Sequence, residues 1–155
     1  MASTRPLPVA PQQLIPGDVM PESTVGPLTI TDFVRYAGAG GDLNPLHHDD
    51  QAAREAGFDG IFGMGLLHAG MLGNRLARWV GPLNIRSFSV RFTGQVWPGD
   101  VLTFAGKVVS LERDEAQLEM DVTRQSGDVV LRSRATATVA PARTSPVVPI
   151  RSSAG

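Results

Sequence analysis

The 155-residue sequence has no cysteine, which excludes disulfides, a thiol nucleophile and thiolate metal ligands together. It has almost no net charge: 14 basic and 15 acidic side chains leave −1. That is too little to draw the chain to nucleic acid or to an anionic membrane surface. No stretch reaches the roughly 18 consecutive apolar residues of a membrane-spanning helix, and the opening MASTRPLPVAPQQ lacks the apolar run of a secretory signal. No Gly-x-Ser-x-Gly elbow offers a nucleophilic serine, no glycine loop carries the lysine of a phosphate cradle, and no His-x-x-x-His spacing builds a helical metal site. The expectation is a soluble, cytoplasmic protein with no electrostatic pull toward nucleic acid or membrane and no motif for a metal or a phosphate-bearing cofactor.

Hydrophobic residues make up 42% and charged residues 19%, ordinary values for a globular protein, and the length suits one domain with a sizeable core. Seven of the twelve prolines lie in the first 16 or last 15 residues. Proline fixes φ and lacks a backbone donor, so such segments pair poorly with helices or sheets. Residues 1–15 and 141–155 are therefore expected to be mobile tails around a folded unit spanning 16–140.

The second half of that unit alternates. Phe88, Val90 and Phe92 share one face of SFSVRFT; Ala116, Leu118, Met120 and Val122 share one face of EAQLEMDVT; Val129, Leu131, Ala135, Ala137 and Val139 share one face of the last run. Period-two patterning with one wet face marks antiparallel strands over a core. With the turn sequences WPGD and QSGD between runs, residues 86–140 read as a four-stranded antiparallel meander. The first half carries two helical stretches. TITDFVRYAGA opens on capping residues and ends in glycines. GLLHAGMLGNRLARWV, residues 65–80, is apolar round most of its circumference and stops at Gly81-Pro82, so it is expected to be buried. One buried helix and one antiparallel sheet give an α+β architecture, the sheet wrapped around the helix.

The densest polar stretch is GGDLNPLHHDD, residues 40–50. Gly40 and Gly41 end the preceding helix, and Asn44 before Pro45 is pushed out of the α region. Asp42 and His47 thus sit on a loop; on a helix, five residues would set them about 140° apart. A loop held by glycine and proline can aim a carboxylate and an imidazole at one point, where the pair can hold a water and move its protons. The same residues also read as an Asx turn and a capped helix start with His48, Asp49 and Asp50 facing water. A metal site fits poorly, because the adjacent His47 and His48 point apart. His68, one turn into the long helix, reads as a packing residue. Arg75, Arg78, Arg86 and Arg91 read as solvated charge.

YAGAGGDLNPLHHDDQAA, residues 36–53, resembles the hydratase motif of MaoC-like, (R)-specific enoyl-CoA hydratases, with Asp42, Asn44, Pro45 and His47 in register. The resemblance continues through FGMGLLHAG and VRFTGQVWPGD and covers roughly 18–140. It implies a hot-dog fold, a homodimer or higher hot-dog oligomer, an acyl-CoA or acyl-carrier-protein thioester as substrate, and no cofactor. It implies hydration of a trans-2-enoyl thioester, or the reverse dehydration of an (R)-3-hydroxyacyl thioester. Asp42 and His47 would hold the water and move protons, Asn44 would orient them, and the Gly65 N–H would bind the thioester oxygen. Physical chemistry agrees on Gly65: free amides and the dipole at a helix start favour an anion. Relatives usually carry His-Gly-Met where this chain has Met64-Gly65-Leu66. A hot-dog thioesterase and a non-catalytic subunit of a heteromeric dehydratase are the rival readings.

Overall fold

The computed structural model describes residues 7, 8 and 10–140. Its elements run β1 (Ser23–Val25), α1 (Ile30–Gly40), a 3-10 turn (Pro45–His47), α2 (Asp50–Glu55), α3 (Gly65–Val80), a second 3-10 turn (Pro82–Asn84), β2 (Ile85–Phe92), β3 (Leu102–Glu112), β4 (Glu115–Arg124) and β5 (Val129–Thr138). All five strands pair antiparallel in one sheet of order β1-β3-β4-β5-β2. This is the hot-dog arrangement expected from the sequence.

Register explains the core. Phe104 stands opposite Val122, Val122 opposite Leu131, and Leu118 opposite Ala135. All are fully buried or nearly so, and they form one cluster with Leu72, Leu76 and Val80 of α3. Cross-strand neighbours on one face thus build the floor on which the helix lies. The opposite face carries exposed pairs such as Arg134–Glu119 at 3.6 Å, which contribute little stability.

Three expectations need correction. Residues 86–140 are not a simple meander: β3, β4 and β5 follow one another, but β2 pairs with β5 at the far edge, and the 93–101 loop crosses to β3 beside β1. Helix α3 is not covered all round. Leu66, Gly70, Asn74 and Arg78 form an exposed stripe at four-residue spacing, while His68, Ala69, Leu72, Leu76 and Val80 face inward. Arg75 is not simply solvated: it donates from Nε to Ser23 Oγ at 2.6 Å and from Nη1 to the Met71 carbonyl at 2.9 Å, and its guanidinium lies 3.9 Å over the Phe104 ring. Burial pushes its pKa down, with neighbouring Arg78 adding to the effect.

Toward the amino terminus, Leu14 joins the core and the Gln12 carbonyl accepts from Ala140 N–H at 2.9 Å, so packing begins before the expected boundary at residue 16. The rest of the tail expectation, residues 1–6, 9 and 141–155, lies outside the described residues.

Candidate active site

Helix α1 delivers the chain to the site. Thr29 caps it in a reciprocal box: its hydroxyl accepts from Asp32 N–H, and the Asp32 carboxylate accepts from Thr29 N–H. The Thr29 hydroxyl also donates to the Asp32 carboxylate at 2.6 Å, and this bond first, then that from Thr29 N–H, holds the Asp32 carboxyl below its usual pKa. Gly41, at φ 71°, closes the helix in the left-handed region that favours glycine. Asn44 then takes the extended conformation that Pro45 requires (φ −61°, ψ 123°).

The loop bonds are local. Asp42 Oδ1 accepts from Asn44 N–H at 3.4 Å, Asn44 Oδ1 accepts from Leu46 N–H at 3.2 Å, and the Asn44 carbonyl accepts from His47 N–H at 3.1 Å. Asn44 itself is exposed and holds the turn's shape. The acid–base reading and the capped-helix reading turn out to be compatible, because Asp49 caps α2 through bonds to Gln51 and Ala52 N–H while Asp42 and His47 face elsewhere.

His47 is the most constrained group. Its Nδ1 lies 2.7 Å from the Phe62 carbonyl. A carbonyl only accepts, so Nδ1 carries the proton and Nε2 of the neutral ring is a free base. The Phe62 ring meets the imidazole edge-on at 5.1 Å and is itself backed by Phe58 and Trp97. Nε2 stands 3.9 Å from Asp42 Oδ2, beyond direct hydrogen bonding. A water oxygen about 2.8 Å from both atoms would subtend about 90°, near the angle between the water's own hydrogens. The pair is thus spaced to share one water.

Asp42 and Gly65 line the same cavity of about 270 Å³, together with Phe62, Gly63, Met64, Leu66, His68, Phe92, Gly94 and Gln95. His47, nearly buried, meets two of these wall residues, Asp42 and Phe62, without lining the cavity itself, and Asn44 does not line it either. At the α3 start the Met64 cap position makes no side-chain hydrogen bond, and a first-turn amide has no acceptor within its helix. The Gly65 N–H is therefore available to the cavity. Gly63 brings the backbone close: a Cβ there would stand 2.8 Å from the buried Phe33 ring.

Most of the other wall residues were not singled out from sequence. Phe62 acts through its main-chain carbonyl, which leaves no sequence signal. Phe92 reads as core from its alternation, yet is 46% exposed, because it ends β2, an edge strand of the sheet. His68 is buried, as packing requires, but it lines the cavity. A larger depression of about 380 Å³ on the outer sheet face is walled by Arg91, Glu119, Asp121, Arg132 and Arg134. Within it Arg132 and Arg134 pair with Asp121 and Glu119. Among the described residues no three His, Cys, Asp or Glu side chains are grouped as metal ligands, and no helix is long and apolar enough to cross a membrane.

The family model described as "MaoC like domain" matches residues 13–130. The chain is 34% identical over 94 residues to "Probable enoyl-CoA hydratase 2" of Dictyostelium discoideum, covering 57% of this chain and 31% of that protein. It is 32% identical over 96 residues to "3-hydroxyacyl-[acyl-carrier-protein] dehydratase, mitochondrial" of Arabidopsis thaliana, covering 61% of this chain and 56% of that protein. The chain thus spans about a third and just over half of these curated relatives. Among solved structures, an (R)-hydratase from A. caviae involved in PHA biosynthesis superposes with a TM-score of 0.71 at 22% identity, covering 83% of this chain and 99% of that one. At that identity the likeness speaks for the fold.

Proposed function

The chain belongs to the MaoC like domain family, and on that premise we propose that its cavity adds water to trans-2-enoyl thioesters, giving (R)-3-hydroxyacyl thioesters, or runs the reverse dehydration. The observation that supports this reading is that His47 Nε2 is 3.9 Å from Asp42 Oδ2 and that Asp42 shares a cavity wall with Gly65, at a helix start without a side-chain cap.

In the hydration direction His47 Nε2 removes one proton from the water as the water oxygen bonds to C3. The C2=C3 electron pair shifts toward the thioester carbonyl, whose oxygen gains negative charge in front of the Gly65 N–H and the α3 dipole. The imidazolium returns its proton to C2. Asp42 accepts a hydrogen bond from the water's second hydrogen, which stays on the oxygen, and steadies the imidazolium, while the Phe62 carbonyl keeps Nδ1–H in place throughout. Atoms balance: hydroxyl ends on C3 and hydrogen on C2.

The cavity is smaller than the roughly 300–1,000 Å³ usual for drug-sized ligands. It suits the reacting head, with the acyl remainder and the pantetheine arm leaving it. The same reading takes substrate from the cytoplasmic pool of coenzyme A or acyl-carrier thioesters. It assembles the protein as a homodimer, covering exposed Leu66, Phe88 and Phe92 near the free edge of β2. The test is loss of enoyl-thioester absorbance across a panel from four-carbon to bulky branched chains, with the product's C3 configuration determined. Hydration of at least one substrate to the (R) product supports the reading; no hydration across the panel, or thioester cleavage instead, defeats it.

A further inference from the structure

We propose that His68 is a substrate-binding residue of this site, giving the thioester carbonyl oxygen a second hydrogen bond beside that of Gly65. The inference rests on the hydratase reading and deepens it.

Two independent observations carry it. The first is an unmet polar atom: His68 is 2% exposed, and its Nε2 is shut off from solvent with no hydrogen-bond partner. A buried ring nitrogen without a partner costs stability, and a plain packing role would be filled better by leucine. The second is location. His68 lies three residues after Gly65, so both occupy one helix face, and both line the cavity that Asp42 enters.

One side chain stands against both. The Phe92 ring meets the His68 ring edge-on at 5.7 Å, and its Cε1 is 2.8 Å from where a Gly65 Cβ would be. Phe92 is an edge-strand residue, so its outer end can swing toward solvent. That movement uncovers the ring of His68 and the start of α3 together, for one incoming group.

The chemistry selects which atom enters. The head of an enoyl thioester has no hydrogen-bond donor, and its carbonyl oxygen is its one strong acceptor. His68 must therefore donate, from Nε2–H. Burial holds its pKa down at about 4, so the ring is a neutral donor near neutral pH. Such a donor stabilises a growing oxyanion without requiring a buried cation.

The experiment compares parent, His68→Leu and His68→Gln for hydration kinetics on an enoyl-CoA that the parent accepts, alongside thermal melting. We expect His68→Leu to lose about 10²-fold in kcat/KM, the scale of removing one oxyanion donor, while its Tm stays level or rises by about 2–4 °C. His68→Gln, which restores an N–H near the same place, should recover part of the rate. A His68→Leu protein with parental kinetics overturns the proposal, as does a His68→Gln protein no faster than His68→Leu. If His68→Leu does not fold, His68→Met takes its place under the same two outcomes. A parent that hydrates nothing in the panel overturns the hydratase reading and this role with it, whereas an active parent with an indifferent position 68 overturns this role alone.

Discussion

Replacing Gly65 by alanine keeps the N–H while adding one methyl group, and the structure specifies what that methyl meets. Its carbon would stand 2.8, 2.9 and 3.0 Å from Cε1, Cζ and Cδ1 of Phe92, against a comfortable carbon–carbon separation of about 3.5–4.0 Å. The ring must retreat by roughly 0.5–1 Å. Its outer end is free to do so, because Phe92 is half exposed on an edge strand. The stability cost should therefore fall at or below the low end of overpacking, about 1 kcal/mol, partly offset by alanine's better helix propensity. Activity should suffer more. The displaced ring is cavity wall, and the methyl crowds the place where the thioester oxygen would sit. We expect kcat/KM to fall about 10- to 10²-fold, below the 10²- to 10³-fold typical of deleting a donor outright. Phe92→Leu removes the ring atoms that the methyl strikes. In that background Gly65→Ala should cost only a few-fold, the non-additivity of residues in contact. The assay is a double-mutant cycle of hydration kinetics with thermal melts on all four proteins. A folded Gly65→Ala protein with parental rate and KM would remove Gly65 from the site. A large drop in Tm with normal turnover would make it a packing residue only.

Two further outcomes follow from the same geometry. His68 binds a proton at about 4 when folded against 6.5 when unfolded, so in that window only the unfolded chain takes up the proton and stability falls as pH drops from about 6.5 to 4. The loss amounts to about 3 kcal/mol; urea midpoints across that range should decline more steeply for the parent than for His68→Leu, and parallel curves would contradict the assignment. Asp100, 5% exposed, accepts from Trp97 N–H at 2.7 Å and from Gln125 Nε2 at 3.0 Å, with Arg124 Nη1 at 3.6 Å. Asp100→Ala should destabilise by about 1–3 kcal/mol in urea titration and slow hydration, because Trp97 backs Phe62 and hence His47; full stability would contradict it.

Much of this was legible in the sequence because it is locally encoded. The capping residues before Phe33, the 65–80 helix and the alternation of residues 115–139 state their own conformation, and the constraint that Pro45 places on Asn44 fixes a loop at Asp42 and His47. Strand order is not local. An alternating run such as 85–92 looks the same whether it pairs with the next strand or with the last, so the meander reading went wrong there. β1 spans three residues, too few to show a period. The exposed face of α3 and the exposure of Phe88 and Phe92 depend on which side of the helix the sheet covers and on β2 lying at the sheet edge, neither of which hydropathy reports. At the site, the group that fixes the His47 tautomer is a main-chain carbonyl, and a main chain has no sequence signature. His68 is the reverse case. The residue was visible, but a lone histidine on an apolar helix suggests packing until its unpaired nitrogen and the cavity beside it are seen.

The most direct test of the account takes the best enoyl-CoA substrate of the panel and measures its hydration by the parent, Asp42→Asn and His47→Ala proteins at equal concentration, well below the melting temperature of each. Asp42 is partly exposed, so Asp42→Asn should fold as the parent does; His47 is nearly buried and bonds the Phe62 carbonyl, so His47→Ala should still fold but with a lower Tm. The account predicts that each loses about 10²-fold or more in kcat, the scale of a positioned acid or base. Near-parental turnover in either folded variant would contradict it.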